Sequence, residues 1–184
     1  MQSEDHILAV GKRWLEESVI GLNLCPFAKP VVQQNRVRWK ILGTTDLEHL
    51  AIEILEEAKL LLNTEVEEVE TSLLIAPNAL ANFYDYWDYT ALLEEHMEDL
   101  GLIGKIQLAT FHPQYQFAGT KEDALENYTN RSPFPIFHLL REDSLFNALE
   151  SYPDPDQIPL KNIEKMNRLG RPFIEELFAK IQLG

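Results

Sequence analysis

Cysteine is almost absent from this sequence: Cys25 stands alone. No internal disulfide can form, and a zinc site built from several cysteines cannot be assembled within one chain. A reducing compartment fits. Basic residues are also scarce, with 16 Lys and Arg against 30 Asp and Glu and a formal net charge of -14. Such a surface repels nucleic-acid phosphates, and no basic run offsets it, so nucleic acid is not expected as a partner. No apolar run approaches the roughly 18–20 residues that cross a bilayer, and the opening MQSEDHILAV carries acids where a signal peptide needs basic residues. The expectation is a soluble, cytoplasmic protein without a membrane partner. Glycine-rich phosphate loops and dinucleotide fingerprints are missing too, which disfavours a nucleotide cofactor.

What is present is a chain of 184 residues, 45% hydrophobic and 25% charged, long enough to bury a core and short enough for one domain spanning 1–184. Its acids concentrate in LEEAKLLLNTEVEEVE and LLEEHMEDL, which read as solvated helix faces. Ser3 caps a first helix in which Ile7, Val10 and Trp14 recur at helical spacing beside Leu8, Leu15 and Val19, with Gly21 as the stop. Thr45 and Glu48 form a capping box before a helix whose buried stripe is Leu47, Leu50, Ile54 and Leu61. Asn78 caps a third helix that ends before Gly101, and Asp143 a shorter one. Strands are expected at 36–43, 69–76, 105–111 and 134–140, and a last helix interrupted around LGRP.

Strand, helix, strand, helix, strand implies two crossovers, and the fourth strand follows the third without a helix, so it should run antiparallel. The expected class is α/β or α+β: a mixed sheet of about four strands packed by helices. The connection 112–133 is long for a compact domain, where such loops are usually functional or disordered. Tyr115, Phe117, Tyr128 and Phe134 give it an aromatic content that favours packing, as the wall or lid of a site.

The segments GLNLCPFA, TFHPQYQFAG, NYTNRSPFPIFHLLREDS and YPDPDQIPLKNI resemble the motif set of an uncharacterised bacterial family, domain of unknown function 1415, over nearly the whole chain. The resemblance implies a shared fold and an interest in these segments; it implies no chemistry.

The residues must supply that. Cys25 reads either as an inert packed thiol or as a nucleophile or redox thiol, which needs a cation, an imidazole or a helix N-terminus nearby to lower its pKa. A Cys-Pro followed by an aromatic is also a weak signal for haem ligation through sulfur. His112 ends the third strand, where sites in open sheets concentrate, on the face of Leu108 and Thr110; His138 sits mid-strand on the face of Ile136 and Leu140. Asn130 and Arg131 belong to a TNRSP turn, where the guanidinium could pair with a surface carboxylate or hold an anionic ligand. The spacing of the histidines and Cys25 lacks the short ligand pairs of zinc motifs, so no metal is assigned. One reading is a thiol-dependent hydrolase or transferase for a small anionic molecule, with Cys25 and His112 catalytic and Asn130, Arg131 and His138 binding substrate. Its rival is a non-catalytic binding or interaction protein with structural cysteine and histidines. Thiol reactivity in the native protein separates them.

Overall fold

The computed structural model describes residues 2–183. Helix α1 (Glu4–Arg13) begins at Ser3, whose hydroxyl accepts the His6 N–H at 3.3 Å, and Glu4 and Asp5 face its positive end. The helix runs on through Trp14–Ile20 with wider, π-type turns, in which Gly21 N–H reaches Glu16 O and Leu24 N–H reaches Val19 O. Gly21 itself stays right-handed; the positive φ needed to leave the helix falls on Asn23 at 49°. A short helix, α2 (Ala28–Gln33), then leads into β1 (Val37–Ile41).

Helix α3 (Leu47–Asn63) buries Leu50, Ile54 and Leu61 as the periodicity requires, whereas Leu47 in its first turn lies 46% exposed. Its cap is Asp46, whose carboxylate accepts from His49 N–H at 2.8 Å, and not the expected Thr45. After β2 (Thr71–Ile75), Asn78 serves the loop by donating to Gly43 O, and Asn82 is the residue that caps α4 (Phe83–Asp99). Gly101, at φ 64°, terminates it. The remaining elements are β3 (Ile106–Phe111), β4 (Ile136–Arg141), α5 (Glu142–Glu150) and α6 (Ile158–Leu183). Helix α5 starts directly from β4 with Arg141 at its cap position, so Asp143 falls inside its first turn. Gly170, at φ 77°, breaks α6 within the LGRP stretch.

The four strands form one mixed sheet in the order β1-β2-β4-β3, an α+β architecture. β1 and β2 are parallel, and β4 is antiparallel to both β2 and β3. β4 occupies the place between β2 and β3, so the second crossover skips one position. Alternation divides the strand residues between two layers. Leu74, Ile106, Leu108, Phe137 and Leu139 meet α3 and α4, while Leu73, Ile75 and Ile136 meet Val10 and Trp14 of the first helix and Ile181 of α6.

The connection after β3 is packed, with Tyr115 and Tyr128 almost fully buried. Its hub is Asn127, inaccessible to solvent. The side-chain oxygen accepts from Phe117 N–H (3.1 Å) and Thr120 O–H (2.9 Å), and its nitrogen donates to Lys121 O (2.8 Å) and Glu122 O (3.2 Å). One side chain thus closes the loop that backbone pairing leaves open. Asn127→Ala should cost about 1–3 kcal/mol in chemical unfolding and accelerate amide exchange across 113–131 before it affects the strands. Uniform exchange in loop and sheet would show that the hub does not hold the loop.

Candidate functional site

The layer between the sheet and helices α2 and α5 holds a cavity of about 520 Å³, within the roughly 300–1,000 Å³ of ordinary small-molecule sites. Phe27, Val31, Val37, Leu73, Leu140 and Leu145 supply much of an apolar wall. Against that wall stand Cys25, Thr71 and His138. At the end of the sheet it reaches Arg36, bonded to Glu70 at 2.7 Å, and Arg141, whose guanidinium donates to the carbonyls of Thr64 and Val69.

Thr71 and His138 reach this layer by register. Thr71 shares the parity of Leu73 and Ile75, and His138 that of Ile136 and Leu140, so both project from the face that packs against the first helix. Thr71 Oγ1 lies 2.6 Å from Leu139 O and 2.7 Å from His138 Nε2. A carbonyl oxygen only accepts, so the hydroxyl proton goes to Leu139, and the hydroxyl lone pairs can then only accept from an Nε2–H. This assigns the tautomer and leaves Nδ1 as an acceptor with no protein partner among the described residues. Burial pulls the His138 pKa down to about 4, so the ring is neutral near pH 7.

Cys25 reaches the cavity from the turn between Ile20 and α2. Asn162 of α6 donates to Leu24 O at 2.8 Å and Lys165 to Leu22 O, fixing that turn against the last helix. Burial pushes the thiol pKa up, against weaker pulls from the backbone N–H groups of Phe27 and Ala28, so it is protonated at neutral pH. Cys25 also borders a second cavity of about 530 Å³, with Leu24, Phe117, Asn130, Asn162 and Ile163 on its wall.

Cys25 therefore shares one cavity with His138 and another with Asn130. It does not meet His112, which lies on the opposite layer between Phe83 and Tyr86, with ring centroids 5.5 and 5.1 Å away. His112 is inaccessible, and its nitrogens are both used: Nε2–H donates to Leu80 O at 3.0 Å, and Nδ1 accepts from Gln114 N–H at 3.0 Å. Burial lowers its pKa despite the Leu80 bond. In this arrangement the ring has neither a free lone pair nor an opening to solvent. Arg131 turns back on its own loop, donating to Tyr115 O and Glu122 O over the Tyr128 ring, and borders neither cavity. Asn130 ties the loop return to β3 through Thr110 O at 3.3 Å.

Sequence reasoning missed Thr71. The signal was there: in VETSLLIAP it is the one polar residue at the parity of Leu73 and Ile75. Among the described residues, no group of three or more His, Cys, Asp or Glu is arranged to hold a metal ion, and no helix is long and apolar enough to cross a membrane.

The depressed His138 pKa has a stability consequence with a definite sign. As pH falls, the unfolded imidazole takes up its proton near its ordinary 6.5, whereas the folded one resists until about 4. The unfolded state binds more protons across that window, so stability present above it is lost on acidification. Between about pH 7 and about pH 4.5 the parent protein should lose about 2 kcal/mol more than His138→Gln in urea unfolding. Parallel profiles would show that the ring is not held neutral by burial.

No curated protein and no solved structure matches the chain. A family model matches residues 6–176, carrying the turn with Cys25, the long loop, β4 and most of α6, and the chain belongs to that family, described as "Protein of unknown function (DUF1415)".

Proposed function

We propose that this protein binds a small, uncharged and mainly apolar molecule in the cavity between α2, α5 and the sheet. The observation that carries the reading is the cavity's composition: an apolar wall enclosing a neutral imidazole and a protonated thiol. Such a site solvates an apolar body and offers few, directed polar contacts. Arg36 at its end is paired with Glu70, Arg141 is held by the backbone carbonyls of Thr64 and Val69, and Arg131, the expected holder of an anion, borders neither cavity, which counts against an anionic ligand. The net charge of -14 adds to the penalty for an anion.

A second reading keeps the thiol chemistry and moves the base. Cys25 and His138 border the same cavity, so thiol-dependent transfer would draw on His138 in place of His112. The raised thiol pKa favours binding over this alternative.

The neutral dye N-phenyl-1-naphthylamine, which fluoresces in apolar surroundings, should bind the protein and slow alkylation of Cys25 by iodoacetamide. Ala148→Trp, at the α5 wall, should abolish both effects while shifting stability by only about 1–3 kcal/mol. An unbound dye with Cys25 alkylated at the same rate throughout would refute the binding reading. Fast alkylation near neutral pH that collapses in His138→Gln would establish the thiol reading instead.

A further inference from the structure

Two hydrogen bonds, Thr71 to Leu139 O at 2.6 Å and His138 Nε2 to Thr71 at 2.7 Å, form a one-way relay, because the carbonyl at its end can only accept. The relay starts on a ring that borders the cavity, and it fixes which of the ring's nitrogens is left with a free lone pair. From this geometry we infer that the cavity selects an uncharged ligand carrying a hydroxyl group, an alcohol or a phenol, which donates its proton to His138 Nδ1, and that Thr71 is the positioning residue that fixes the accepting tautomer.

The inference deepens the binding reading and rests on it. A ligand that offers only an acceptor, such as an ether or ketone of the same shape, sets two lone pairs against each other and strips Nδ1 of water without replacement. Sites built to hydrogen-bond a hydroxyl reject analogues lacking it far more strongly than apolar pockets reject a change of size. A switch of tautomer is opposed, since with the proton on Nδ1 the Thr71 hydroxyl would have to give up its bond to Leu139 O, 2.6 Å away, to donate to Nε2. Protonation near pH 7 is opposed as well, since burial disfavours the charge. The nearest ring is Phe111, with its centroid 6.2 Å away, which supplies no competing donor.

The probes are two matched pairs, 4-propylphenol with 4-propylanisole and 1-nonanol with methyl octyl ether, each displacing the naphthylamine dye from the intact protein. In at least one pair the hydroxyl member should bind about ten-fold tighter or better than its ether. Thr71→Val, nearly isosteric, releases the tautomer and should narrow that ratio to about three-fold or less by improving the ether. Nitrogen NMR of the His138 ring supplies a readout independent of ligand, with Nε2–H alone in the parent and a mixture of tautomers in Thr71→Val. Equal binding within both pairs, with the dye still bound, overturns the inference and leaves the binding reading standing. A dye that never binds overturns the reading itself. A ratio unchanged by Thr71→Val, or a parent ring protonated on Nδ1, overturns the role given to Thr71.

Discussion

The register of β4 is the constraint on which the rest of this structure depends. β4 is paired on both edges, with β2 through Ile75↔Ile136 to Thr71↔Leu140 and with β3 through Phe111↔Ile136 to Ile106↔Arg141. Both faces of the sheet are covered, so each of its side chains must suit one of two layers. Phe137 and Leu139 complete the layer with α3 and α4, and Ile136 the layer with the first helix. A slip of one residue would exchange them and put His138 in the layer of Tyr86 and Tyr89, which pack on Phe137. The Tyr86 hydroxyl, donating to Ile136 O at 2.7 Å, and Thr71, donating to Leu139 O, add bonds that only this register satisfies.

The buried and half-buried polar groups divide according to whether the fold uses them up. His112 has a partner on each nitrogen, Asn127 makes four hydrogen bonds within its loop, and Arg131 spends its guanidinium on loop carbonyls and the Tyr128 ring. Such groups specify the backbone around them, because any rearrangement strands a donor or acceptor away from water. His138 differs. Thr71 satisfies one nitrogen and leaves the other without a protein partner among the described residues, on a ring that borders a cavity large enough for a ligand. That unspent acceptor, in a mainly apolar layer, is the feature on which the proposed binding site rests.

Local features were readable from the residues where the chemistry is local. Ser3 caps α1, Gly101 and Gly170 take the positive φ that ends or breaks a helix, and the four strands lie where their length and apolar content put them. The misplaced caps share one cause. Thr45 and Asp46 stand side by side, and Asn78 and Asn82 lie four residues apart in one turn-rich stretch, so each helix had more than one candidate cap near its start. The choice falls to the residue whose backbone is extended where the helix leaves the loop: Asp46 at ψ 120° and Asn82 at ψ 134°. That direction is set by packing against the sheet.

Alternation along β3 and β4 was enough to put His112 on the face of Leu108 and Thr110, and His138 on that of Ile136 and Leu140. It could not say which face carried a cavity, because that depends on how α2 and α5 cover the sheet. That Cys25 borders one cavity with His138 and lies apart from His112 follows from the position of β4 between β2 and β3 together with the turn that α6 holds through Asn162 and Lys165. Periodicity reports the side of a strand a residue occupies, since the pleat alone sets it. Which distant segments meet across that side is settled by the order of strands and the cover of helices, a non-local outcome that only the tertiary structure decides.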